Sequence, residues 1–135
     1  MSVHLQVSKG VLPAFLACLG IGTLHAIRTG AVPAEAGIWT LAPPRFLLPI
    51  RDRSLAPEAV IEVFRVCDEL DAIQEVLGPD EFDKAATDLI ERLQAVLARV
   101  YPNWGMGVSW LEDSDEDVPH RGWAISPVRE ERKDG

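Results

Sequence analysis

Leu12-Pro13-Ala14-Phe15-Leu16-Ala17-Cys18-Leu19-Gly20-Ile21-Gly22-Thr23-Leu24-His25-Ala26-Ile27-Arg28 is the stretch whose reading decides the fold. Between Lys9 and Arg28 its only titratable polar side chain is His25. Pro13 falls in the first turn of a helix, where a missing N–H costs nothing, with Ser8 or Gly10 leading in. Gly30 stands just past the end, where a left-handed glycine closes helices. Helix one is therefore read as Leu12–Arg28. Being apolar nearly all round, it is expected to form the centre of the fold. The uncharged run over residues 11–27, at about 17 residues, reaches only the bottom of the membrane-spanning range. Pro13, Gly20, Gly22, Thr23 and His25 weaken a spanning reading further. Phe15-Leu16-Ala17-Cys18 has the outline of a lipoprotein cleavage box, but apolar Leu19-Gly20-Ile21 follows where a polar tether belongs. No small-x-small site closes the run as a secretory signal would. The expected location is cytoplasmic, and a membrane-associated protein that inserts or docks residues 11–27 is the alternative.

Outward from helix one, residues 1–10 are an arm in which Val3, Leu5 and Val7 alternate with His4, Gln6 and Ser8, the period of a short strand. Pro33 is read as opening a second helix through Leu41, which Pro43 and Pro44 stop. Residues 42–56 read as a connector, pinned to the core by Phe46, Leu47, Leu48 and Ile50. Pro57 begins helix three, with Val60, Val63, Phe64, Cys67, Leu70 and Leu77 as its buried stripe, ending before Gly78-Pro79. Asp80 is the expected N-cap of helix four, with Glu81 and Asp83 complementing the dipole. There Phe82, Ala86, Leu89, Leu93, Val96, Leu97 and Val100 share one face. Helices three and four should form an antiparallel hairpin across the short link.

After Tyr101 the period changes to two: Trp104, Met106, Val108 and Trp110 alternate with small residues. The acids Glu112, Asp113, Asp115, Glu116 and Asp117 follow, and then Gly122-Trp123-Ala124-Ile125. A Trp- and Gly-rich β-hairpin with an acidic loop is expected over residues 102–127, packed on the helices or paired with the N-terminal arm, because a lone hairpin is marginal. Residues 128–135 read as a frayed tail. The expectation is a mainly α, single-domain helical bundle, its helical core spanning residues 11–101, with a C-terminal β-hairpin.

The 135 residues carry 13 basic and 21 acidic side chains, a net charge of -8. That balance repels phosphate backbones and disfavours nucleic acid as a partner. A hydrophobic fraction of 47% and a charged fraction of 25% exclude a wholly disordered chain. Two cysteines are too few for a disulfide-stapled scaffold, so Cys18 and Cys67 are read as reduced and packed in the core, with a bridge between them left open.

Known chemistries find little to stand on. His4, His25 and His120 are scattered, without the spacing of a zinc site. Asp113-Ser114-Asp115-Glu116-Asp117 starts like a calcium loop, but Val118 stands where the turn demands Gly and Ala124 where a bidentate Glu belongs. Gly20-Ile21-Gly22 is a fragment of a dinucleotide motif with no strand before it, and small residues there suit close helix crossing instead. No phosphate loop or serine nucleophile elbow is present. Asp68, Asp71, Glu75, Asp88 and Glu91 read as a solvated face, since no Glu has a His three residues on, as a di-iron site needs. No metal, cofactor or catalytic residue is expected, and a small helical enzyme using His25 is carried only as a further alternative.

The charge asymmetry stands above this background. Acids far outnumber bases between residues 58 and 91, whereas residues 1–50 hold one acid, Glu35. Trp104, Trp110 and Trp123 flank the acidic run, and tryptophan is the residue type most enriched at binding hot spots. Glu112, Asp113, Asp115, Glu116 and Asp117 with these tryptophans form the expected partner-binding site for a basic protein.

Phe15-Leu16-Ala17-Cys18-Leu19-Gly20-Ile21-Gly22, then Gly30-Ala31-Val32, Ala34-Glu35-Ala36 and Pro43-Pro44, continue through Val63-Phe64-Arg65-Val66-Cys67-Asp68-Glu69-Leu70-Asp71-Ala72-Ile73. Over about residues 12–100 this order resembles a family of small, mainly helical bacterial proteins of uncharacterised function. The resemblance implies a helical domain and brings no catalytic residue with it. In size and charge the chain is also similar to immunity proteins and antitoxins, which implies a non-catalytic binding role against a basic partner such as a bacterial toxin.

Overall fold

The computed structural model describes residues 2–100 and 108–113. Among them the chain is mainly helical: β1 (Ser2–Val7), α1 (Leu12–Arg28), α2 (Ala36–Thr40), α3 (Pro44–Asp52), α4 (Glu58–Val66), a 3-10 turn (Cys67–Glu69), α5 (Leu70–Leu77), α6 (Pro79–Val100) and β2 (Val108–Asp113).

Helix α1 has the expected bounds. Its carbonyl end is closed by Thr29, whose Oγ1 donates to the His25 carbonyl at 3.0 Å, and by Gly30 at φ +82°. It is not buried all round. Ala14, Leu16, Ala17, Gly20, Leu24 and Ile27 face the core, while Cys18, Gly22 and His25 face solvent. Its main partner is α6. Gly20 makes the closest approach, since a Cβ there would sit 2.5 Å from Leu93 Cδ1 and 2.8 Å from Phe64 Cε1. Eight residues on, Arg28 Nε donates to Asp83 Oδ1 at 2.8 Å. The two contacts run in opposite senses along the helices, so α1 and α6 lie antiparallel. The start of α1 therefore lies beside the end of α6, and the strands that precede α1 and follow α6 leave the helices at one end. They pair antiparallel, Ser2 opposite Asp113 through Val7 opposite Val108.

Several expectations need correction. The segment 42–56 is not an irregular connector, because α3 occupies its middle with Pro44 at the helix start and Phe46, Leu47 and Ile50 buried. Three prolines disguise it. Pro43 and Pro44 sit where no helical N–H is needed, and Pro49 gives up a single bond. Leu48 points outward and is exposed. Next, α2 is only five residues long: Pro33 opens a turn, not the helix, with Ala36 N–H bonding to the Pro33 carbonyl at 2.9 Å. Finally, helix three is two helices. The 3-10 turn tightens the chain at Cys67, and Gly37 of α2 lies against it, where a Cβ would come within 3.7 Å of Cys67 Cβ and 3.8 Å of its carbonyl oxygen.

Asp80 is likewise inside α6, not its cap. The Gly78 carbonyl accepts from the Phe82 N–H at 3.1 Å, and Gly78 takes φ +91° to turn the chain. The core joins Leu16, Leu24, Leu41, Ile50, Val60, Phe64, Cys67, Leu70 and Leu93, with the Phe46 and Phe64 rings stacked at 6.0 Å. Leu97 and Val100 of the expected α6 face are half-buried. No helix among the described residues is long and apolar enough to cross a membrane.

Candidate functional site

The sequence-predicted binding site divides at the limit of the described residues. Trp110, Glu112 and Asp113 lie on β2, with Trp110 opposite Leu5 and Glu112 opposite Val3 in the register. Trp104, Asp115, Glu116, Asp117 and Trp123 lie outside the described residues, as do the second half of the expected hairpin and the tail from 128. The pairing that is described for Val108–Asp113 is long-range, with the N-terminal arm, one of the two partners the sequence allows.

The helical part carries its charge unevenly. Residues 1–57 hold five basic side chains against two acidic ones, whereas residues 58–100 hold four against eleven. Asp68, Asp71, Glu75, Asp88 and Glu91 are all exposed, as a solvated face requires. Part of the acidic surface is compensated locally. Arg65 donates from Nε and Nη2 to Glu62, which holds the Glu62 carboxyl below and the guanidinium above their ordinary ranges. Asp88 pairs with Arg92 at 2.9 Å across one turn, with the acid N-terminal to the base as suits a helix, and Lys84 with Glu81 at 3.5 Å. Such exposed pairs add little to stability, because solvent screens the charges and holding two long side chains together costs entropy. Asp68, Glu69, Asp71 and Glu75, on the 3-10 turn and α5, enter no ion pair among the described residues. Beside them Val76 and Leu77 stand in solvent, 77% and 60% exposed. Leu77 was expected in the buried stripe. It is the last residue of α5, where Gly78 turns the chain away, and the one fully buried side chain of that helix is Leu70. The sequence signal for this exposed pair is its position next to Gly78-Pro79, at a helix end.

A second feature is an open depression of about 450 Å³ between α1 and α2, lined by Cys18, Gly22 and Ala26 of α1, Val32, and Ala36 and Thr40 of α2. Its wall is small and apolar. Cys18 is exposed here, contrary to the expectation of a packed thiol, because it falls on the side of α1 opposite the α6 contact. Partial burial still pushes its pKa up. Cys67 is buried as expected, its pKa pushed up to about 12 by desolvation. The two thiols are free, which closes the question of a bridge. His25 is exposed and does not line the depression. Among the described residues no three His, Cys, Asp or Glu side chains come together in a way that could hold a metal ion.

No family model, curated protein or solved structure matches the chain.

Proposed function

We propose that the protein is a non-catalytic protein-binding module whose acidic surface occludes a basic protein, with an immunity protein or inhibitor acting on a bacterial toxin as the concrete form. The observation that supports this reading above the others is the division of charge. Asp68, Asp71 and Glu75, which enter no ion pair among the described residues, and Glu69, near enough to Arg65 to share its charge, are solvent-facing, and Glu112 and Asp113 on β2 begin the run continued in sequence by Asp115, Glu116 and Asp117. Clustered carboxylates of one sign raise the local potential and speed encounter with a cationic surface. Trp104, Trp110 and Trp123 supply the large amphipathic contact area that holds a complex after encounter. Binding then covers the partner's basic site, and no bond is made or broken.

The test is a pull-down of tagged protein from its native host at low and high salt, followed by affinity measurement with the recovered partner. One stoichiometric basic protein, released as salt rises, is the expected result. Reversing the charge of Glu112, Asp113, Asp115, Glu116 and Asp117 together should then weaken binding and flatten its salt dependence. Unchanged affinity and salt slope would remove those residues from the site.

A further inference from the structure

We propose that the outer side of α5, built on Ala72, Ile73, Val76 and Leu77, is a docking face for a basic amphipathic helix of another protein. Residues three and four apart lie on one side of a helix, so Glu69, Ala72, Ile73 and Val76 form one line and Leu77 falls beside it. Leu70 anchors α5 in the core and Ile73 is half-buried against it. Beyond Ile73 the apolar arc continues without cover: Ala72 is exposed, Val76 is 77% exposed and Leu77 is 60% exposed. Single exposed apolar side chains need no explanation, but two large consecutive ones continuing a helix's buried face leave part of that face unpartnered.

Charge selects the occupant. Glu69 heads the apolar line, Asp71 and Glu75 border one side of it on α5, and Asp80 and Glu81, the latter beside Lys84, follow across the Gly78 turn, all exposed. A second copy of this chain docked symmetrically would set these carboxylates against themselves, and an anionic lipid surface would be repelled by them. A helix with an apolar stripe bordered by Lys and Arg satisfies both the uncovered methyl groups and the acidic rim, by the groove-and-ridge packing that amphipathic helices use. The inference rests on the protein-binding reading but not on the 112–117 run.

The experiment uses the full chain and a synthetic helical peptide of about four turns, with leucines at i, i+3, i+4 and i+7 and lysines on both borders. A control peptide keeps the leucines and replaces lysine by glutamate. Affinity is read by fluorescence anisotropy and the site by amide chemical shifts. The lysine peptide should bind, perturb residues 69–81, and lose affinity at least about tenfold against a Val76→Ser/Leu77→Ser double variant, since two buried aliphatic side chains account for more than that factor. The glutamate peptide should not bind. Because both positions are exposed, the double variant should keep the parent's thermal transition.

Equal affinity for the double variant, shifts centred away from α5, or equal binding of the glutamate peptide each overturns the proposal. So does contact of the Val76 and Leu77 methyl groups, in the free protein, with residues 114–135 or with a second copy. Leu77-dependent binding to phosphatidylserine vesicles would do the same. The two readings fail separately. A peptide that maps to α5, alongside a native partner indifferent to charge reversal at 112–117, removes only that run. A peptide that misses α5, alongside a native partner lost on that reversal, removes only the α5 face.

Discussion

Gly20 and Gly22 stand two residues apart on α1 and serve opposite ends. At Gly20 the missing side chain is what lets α1 approach Leu93 and Phe64, both fully buried, whereas a Cβ at Gly22 would meet nothing within 4 Å. Gly20→Ala must displace packed side chains and should lower stability by about 1–3 kcal/mol. Gly22→Ala removes only backbone freedom from an exposed helix position and should raise it by about 0.5–1 kcal/mol. Urea unfolding of the two variants checks both signs, and equal effects would refute the asymmetry. The cysteines give a second contrast. Cys18 is exposed and Cys67 is not, so a thiol reagent should modify one equivalent in the native protein and the second only on unfolding. The Cys67 thiol stays protonated in the fold up to about 12, while in the unfolded chain it ionises near its ordinary value of 9.0. Above pH 9 the unfolded chain therefore holds fewer protons than the fold. Stability contributed below pH 9 should fall between pH 9 and about 12 by up to about 1.4 kcal/mol per unit. A Cys67→Ala variant should lack that slope.

At the scale of elements, legibility followed how far local pattern and tertiary contact agreed. Helices α1 and α6 were readable almost to the residue, because Pro13, Gly30 and Gly78-Pro79 mark their ends and the apolar spacing runs unbroken between. Helix α3 was hidden by its prolines, although Phe46, Leu47 and Ile50 already have helical spacing. The break between α4 and α5 has no Gly or Pro to announce it. It coincides with the close approach of Gly37 to the Cys67 backbone, a contact distant in sequence that no local window contains. The stripe assigned to one long helix is accordingly true through Leu70 and false at Leu77. Leu70→Ala should cost about 2–5 kcal/mol, as core truncations do. Leu77→Ala should stay within about 0.5 kcal/mol of the parent. Comparable losses in thermal or urea unfolding would place Leu77 back in the core.

Over the whole molecule, the antiparallel packing of α1 on α6 brings the two chain regions outside the helices together, which is why an arm of alternating residues becomes β1 and finds β2 across most of the chain. The alternation in both segments was legible. Their pairing was one of two options, because a strand's partner is set by where the helices deliver it. The proposed acidic site is a reading of composition, and of its residues only Trp110, Glu112 and Asp113 have a described place in the fold. The ribbon and the helical core should also differ in stability. Among the described residues the sheet has two strands, and a two-stranded ribbon by itself is marginal in water. In β1 Val3, His4 and Gln6 are exposed and Leu5 and Val7 only half-buried, while α6 holds Leu89, Leu93 and Val96 in the core. Releasing β1 therefore exposes little apolar surface of its own, whereas opening α6 requires loss of the core. Amide hydrogen exchange should show Leu5 and Gln6 exchanging at least about a hundredfold faster than Leu89 and Leu93 after correction for intrinsic rates, a gap of roughly 3 kcal/mol. Equal protection would mean that ribbon and helices unfold as one unit, and that the strands owe their order to contacts beyond their own pairing.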